Sequence, residues 1–210
     1  MLARLSTIAA ATAAGIVMLG VPAHAAPPAT DCHGVTLTDP ANDQYFVVSP
    51  PSGLPAVRPN GVIDITEVFL TGASGAEKLN IRVSDLNTQS NTSYSFRWND
   101  ASSPFGGVYW ELQATFPGTN AAGDGIYTLW RNTSSGYTLW GTTGRTFLGL
   151  GGVIQIDLRF DITSWPTTLR GIQATASQDE AYWWEPGFPP TSVGTIRFDN
   201  ASGPDWTQPC

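Results

Sequence analysis

The chain has 210 residues, 41% of them hydrophobic, with 22 Gly, 16 Pro, 8 Trp and a formal net charge of −7. This length and apolar content suit one domain with a full core, and the acidic balance argues against nucleic acid or an anionic membrane surface as a partner. Solubility alone accounts for such a charge; cation binding is the more specific alternative.

Residues 1–25 read as a signal peptide. Arg4 precedes an apolar run over 8–21, and Ala23-His24-Ala25 matches the A-x-A pattern of a cleavage site. On that reading a single domain, 26–210, is secreted and extracellular, and no second apolar stretch is long enough to span a bilayer. Cys32 and Cys210 lie at the two ends of that domain. An even pair in an oxidising compartment reads as one disulfide tying the termini together, worth roughly 5 kcal/mol for so long a loop. Zinc or redox chemistry lacks partners, because His33 is the only histidine in 26–210.

Next along the chain, Asp39, Asn42 and Asp43 crowd into one turn beside Pro40, and oxygen ligands so close together are what a calcium ion requires. The same residues also make an ordinary Asp-Pro turn whose side chains bond their own backbone. A Pro-rich loop over 49–55 follows. From there strand signals dominate, and no amphipathic helix stands out. Leu79, Ile81 and Val83 alternate with polar residues, as do Ile154, Ile156, Leu158, Phe160 and Ile162. Further runs lie at 62–70, 93–98, 108–116, 126–130, 137–140, 169–176 and 193–198, separated by Gly, Pro, Asn and Ser. This pattern predicts an all-β fold: a two-sheet antiparallel β-sandwich, jelly-roll or immunoglobulin-like, with its termini joined by the disulfide.

The turn Asp39-Pro40 with Asp43, the strand Asp64-Ile65-Thr66-Glu67-Val68 and the strand end Val83-Ser84-Asp85-Leu86 resemble the start of secreted bacterial β-sandwich modules. These are related to the family 9 carbohydrate-binding modules and the DOMON-like domains. Asp199-Asn200-Ala201-Ser202-Gly203-Pro204-Asp205 resembles the D-x-A-P-D segment that closes such modules, with Ser202 and Gly203 inserted before the proline. The resemblance implies that Asp39, Asp43 and Asp205 meet where the chain ends meet and share a structural calcium.

The tetrapeptide Tyr-Thr-Leu-Trp occurs twice, at 127–130 and 137–140. Pairing Leu129 with Tyr137 across a five-residue loop places Thr128, Trp130, Thr138 and Trp140 on one face and Tyr127, Leu129, Tyr137 and Leu139 on the other. Two indoles beside hydroxyls can stack on sugar rings; equally, both can be buried between sheets with the tyrosines wet. Trp183 and Trp184, adjacent in a Pro-rich loop, cannot both point inward easily and form a second aromatic candidate.

Catalytic chemistry finds little support. The chain has no G-x-S-x-G elbow, no H-E-x-x-H and no P-loop. Asp179, Glu180 and Glu185 are the carboxylates nearest the Trp183-Trp184 pair. Gln155 and Arg159 occupy the positions where the E-x-D-x-E strand of sandwich-fold glucanases has its glutamates, and neither can act as nucleophile or acid. The expectation is therefore a non-catalytic module that binds an extracellular glycan through Trp130, Trp140, Trp183 and Trp184. A structural or protein-interaction sandwich without a small ligand is the alternative, and the sequence leaves the oligomeric state undefined.

Overall fold

A computed structural model describes residues 28, 34–43, 45–46, 62–73, 75–86, 92–117, 125–182 and 193–207, with backbone alone for 35, 45–46, 179–182 and 193–198. The signal segment 1–25, Cys32, Cys210, Trp183, Trp184 and Glu185 lie outside the described residues. In chain order the strands are β1 (Val35–Thr38), β2 (Tyr45–Phe46), β3 (Ile65–Thr71), β4 (Lys78–Val83), β5 (Asp85–Leu86), β6 (Thr92–Asn99), β7 (Tyr109–Phe116) and β8 (Ile126–Thr133). They continue with β9 (Gly136–Gly141), β10 (Gly144–Phe147), β11 (Gly149–Leu150), β12 (Val153–Asp157), β13 (Thr168–Leu169), β14 (Gln173–Tyr182), β15 (Val193–Ser202) and β16 (Trp206–Thr207). Among the described residues no helix is long and apolar enough to cross a membrane, a statement that does not extend to strand-built barrels.

The all-β expectation holds, but the two-sheet arrangement with a terminal disulfide does not. The described strands form four antiparallel sheets: five strands in the order β1-β3-β4-β12-β10, seven in the order β2-β15-β14-β6-β7-β8-β9, and the ribbons β5/β11 and β13/β16. No disulfide joins described residues, so the linked-termini expectation is set aside with the sheet count. The ribbons arise where local chemistry interrupts a longer strand. Ser84 turns its N–H to the Asp64 carbonyl (2.9 Å) and its hydroxyl to the Asp64 carboxylate, which separates β5 from β4. Opposite it, Gly149 (φ 114°) and Gly151 (φ 62°) take backbone conformations that side chains disfavour and detach β11 from β10. Pro204 has no N–H to continue the β15 ladder, and β16 pairs instead with β13.

The two large sheets share one core. Leu37, Val68, Ile81 and Ile154 occupy one inward row of the five-stranded sheet, and Leu70, Leu79 and Ile156 the next. Facing them, Phe96, Leu112 and Leu129 lie side by side across β6, β7 and β8, beside the inward row of Tyr94, Ala114 and Tyr127. The period-two pattern over 154–162 ends as a strand at Asp157. Ile162 and Thr163 then donate to the Arg159 carbonyl at 2.9 Å, and the chain turns while Leu158, Phe160 and Ile162 still pack on the core. Trp98 is the largest side chain sealed in that core, 1% exposed, with its ring 4.8 Å from that of Trp165 and 6.0 Å from that of Phe96. Replacing Trp98 with alanine is expected to cost about 3–5 kcal/mol in denaturant unfolding. Tyr137→Ala, at a position 66% exposed, should change it by less than about 0.5 kcal/mol.

Candidate functional site

Strand parity gives the seven-stranded sheet a second face, and its composition is unlike that of the core. The residues alternating with the buried ones form cross-strand rows: Gln173, Arg97, Glu111, Trp130 and Leu139 in one, and Thr175, Ser95, Gln113 and Thr128 in the next. Amides and hydroxyls on this face bond one another. Ser95 and Thr175 hydroxyls lie 2.8 Å apart, the Gln113 amide donates to Ser93 at 3.1 Å, and the Gln173 amide donates to Asn200 at 2.5 Å. The Arg97 guanidinium lies 5.6 Å from the Tyr109 ring centre. Burial among these groups raises the Glu111 carboxyl above its ordinary range, against the opposing pull of a Ser95 hydrogen bond and the Arg97 charge.

The hairpin β8–β9 places two aromatics at one end of this face. Its turn is Ser134-Ser135, with Thr133 opposite Gly136, and not the five-residue loop expected from the repeat. The Thr133 hydroxyl accepts from Ser135 N (3.3 Å) and donates to the Gly136 carbonyl (2.9 Å), while Arg131 reaches Asp100 (3.3 Å) and covers the Trp110 ring, keeping both strands extended to the turn. The resulting register opposes Leu129 with Trp140 and Trp130 with Leu139. The two tryptophans of the repeat therefore part company. Trp140 is on the core face, stacked on Trp110 with ring centres 5.9 Å apart. Trp130 is on the outer face with its Nε1 donating to Thr128 (2.8 Å), and its ring lies 4.9 Å from that of Tyr137. Tyr137, expected on the face with Leu129, is instead an exposed member of the outer face.

A second constellation lies near the opposite edge of the same sheet. Asp39 follows β1, Asp43 closes the turn and Asp199 lies on β15, and one oxygen from each falls within 4.8 Å of the others, so that the three could hold a metal ion. Asn42 takes a left-handed conformation (φ 69°) in this turn, and its N–H donates to Asp64 at 2.6 Å. Asp199 is 2% exposed and accepts from Ile65 N (2.6 Å) and Asn200 N (2.9 Å). One Asp39 oxygen is buried without a partner among the described residues. Burial, then the charges of Asp43 and Asp64, push the Asp39 carboxyl up to about 6. Burial, against the Ile65 hydrogen bond, together with the charges of Asp39 and Asp43, pushes Asp199 up to about 7. Two crowded carboxylates that resist ionisation, Asp39 and Asp199, are what a bound cation would relieve.

Asp205 does not join this cluster. It lies beyond Pro204, 3.6 Å from Arg170, and accepts from Gly171 N at 3.4 Å. Asp199, missed in the sequence reading, carries a signal there: two residues before buried Ala201, it places an acid at an inward strand position. Gln155 is buried, bonded to Asn80 and Arg145 at 2.8 Å each, and Arg159 pairs with Asp161. Both residues have structural partners in place of the catalytic carboxylates of that strand pattern. Asp179 and Glu180 lie at the end of β14, over which the backbone alone is described. No family model, curated protein or solved structure matches this chain.

The carboxylate cluster sets a pH dependence. The folded values of about 6 and 7 lie above the ordinary 3.8, so between them the folded chain retains protons that the unfolded chain has released, and stability falls as pH rises through that window. Thermal unfolding in chelator should give a higher Tm in mild acid than at neutral pH, and Asp199→Asn should shrink the difference. A Tm that rises toward neutral pH would contradict the cluster.

Proposed function

We propose that this is a non-catalytic, exported binding module that takes an extracellular glycan on the outer face of the seven-stranded sheet. The observation that carries the reading is the Trp130–Tyr137 pair, set beside Leu139 on a sheet face that also carries amides, hydroxyls and the Arg97 and Glu111 charges. A sugar ring has an apolar C–H face and a rim of hydroxyls. Aromatic rings match the first, and groups that both donate and accept match the second. The resemblance of the Asp39 turn and the Asp64–Val68 strand to secreted carbohydrate-binding modules supports the same class. Trp140, packed on Trp110, has no part in the site and belongs to the core.

The ion proposed for Asp39, Asp43 and Asp199 is calcium, because the donors are all hard carboxylate oxygens. Its role is to hold the turn after β1 against β15.

Two measurements test these assignments separately. In a thermal-shift panel of soluble glycans, one class at about 100 times its dissociation constant should stabilise the protein by about 2.7 kcal/mol. Trp130→Ala and Tyr137→Ala should each weaken that binding by more than about tenfold while costing little stability. Trp140→Ala should instead cost about 3 kcal/mol of stability. A glycan shift that survives both outer-face substitutions would move the site elsewhere. Calcium added after chelation should raise the Tm at neutral pH in the parent chain and leave Asp199→Asn unmoved.

A further inference from the structure

We infer that the binding site, on the glycan assignment above, continues from the Trp130–Tyr137 pair across the strands into a cleft at the end of the seven-stranded sheet, and that its ligand is an extended, neutral oligosaccharide chain. The register supplies the path. Asn99, Tyr109, Asn132 and Tyr137 stand opposite one another across β6, β7, β8 and β9, in the last outer-face row before the loops. Tyr137 belongs to the stacking pair at one end of this row, and Asn99 stands at the other, three strand spacings or about 14 Å away. The groups between are polar. The Arg97 guanidinium lies 5.6 Å from the Tyr109 ring centre and covers it, so Tyr109 offers its hydroxyl more than its ring face, and Asn132 places an amide midway. A single sugar on Trp130 falls short of Asn99; a chain laid across the strands meets each of these groups in turn.

Asn99 also belongs to the cleft. A hollow of about 320 Å³ is lined by Asn99 and Pro104 together with Pro166, Thr167, Thr168 and Arg170. Its walls are tied to one another. Asn99 N donates to the Arg170 carbonyl (2.8 Å), and the Asn99 amide donates to the Pro104 carbonyl (3.0 Å). Gly171 (φ 56°) permits this fit, because a Cβ there would come within 2.5 Å of the Asn99 amide nitrogen. A smaller hollow of about 220 Å³ shares Asp100, Ala101 and Pro166 with the first and continues it toward Trp98 and Trp110.

The chemistry of the cleft matches that of the Trp130 end. Two prolines give flat apolar surface, two threonines and Asn99 give groups that donate and accept, and Phe105, 97% exposed, follows Pro104 on the same loop. The charges there already have partners. Asp100 accepts from Ser102, Trp110 and Arg131, and Arg170 lies 3.6 Å from Asp205. Hydroxyls of a neutral chain suit such a cleft better than an ionised group does.

Titration calorimetry of the full mature chain tests this, with cellobiose, xylobiose, chitobiose and mannobiose set against the matching hexasaccharides. In the series that binds, the hexasaccharide should bind at least about tenfold more tightly than the disaccharide, since its far end reaches the cleft already tethered. Thr167→Leu takes a hydroxyl from the cleft and narrows it, and Arg170→Ala takes away its guanidinium; both positions are exposed, so circular dichroism should be unchanged. Each should remove most of the length-dependent gain and leave the disaccharide affinity as it was, whereas Trp130→Ala should weaken both lengths. Equal affinity for the two lengths, or a gain that survives both cleft substitutions, would overturn the inference while leaving the Trp130 site in place. Failure of every probe to bind would remove the glycan assignment and this extension together.

Discussion

The outer face of the seven-stranded sheet depends on one constraint, the register of β8 against β9. Side chains alternate with period two, so a slip of β9 by one residue would bring Trp140 to the outer face beside Trp130 and carry Tyr137 and Leu139 inward. The Ser134-Ser135 turn holds the register from one end, through the two bonds of the Thr133 hydroxyl. Trp140 on Trp110 holds it from the core side. Arg131, bonded to the Asp100 carboxylate that also accepts from Trp110 Nε1 at 2.7 Å, fixes the middle. Three contacts of different kinds thus select one of two nearly equivalent alignments of a repeated tetrapeptide.

The same alignment explains what the sequence could and could not disclose. Alternation marks β4, β6 and β7 clearly because each has one face in the shared core. It fails at Leu158 to Ile162, where apolar residues keep their period while the Arg159 carbonyl turns the chain. A hydropathy pattern reports which side chains are buried, and not whether the backbone between them stays extended. The repeat is ambiguous for a related reason. Tyr-Thr-Leu-Trp satisfies period two in either register, and the deciding contacts come from Asp100 and Trp110, distant in sequence. The β5/β11 ribbon was illegible because it depends on Ser84 finding Asp64 and on glycine conformations at 149 and 151.

The carboxylate cluster was half legible. Asp39 and Asp43 stand four residues apart in one turn, and local spacing suffices to join them. Their third partner comes from β15, and only tertiary structure chooses between Asp199 and Asp205. Parity chooses Asp199: it shares the inward side with Ala201, whereas Asp205 lies past Pro204, where the ladder has ended and Arg170 neutralises it. Buried acids at inward strand positions cost folding energy unless something compensates. Two backbone N–H groups compensate Asp199 in part, and the unpartnered oxygen of Asp39 shows that the cluster as a whole is not satisfied by described protein groups.

Distance within the sheet separates these two regions. β15 and β9 are second and seventh in the strand order, so five strand spacings, on the order of 24 Å, lie between Asp199 and Leu139. A cation at the cluster cannot touch a ligand stacked on Trp130, and its charge is largely screened over that span. Its effect is confined to the elements it joins: the turn after β1, the start of β3 through Ile65, and β15.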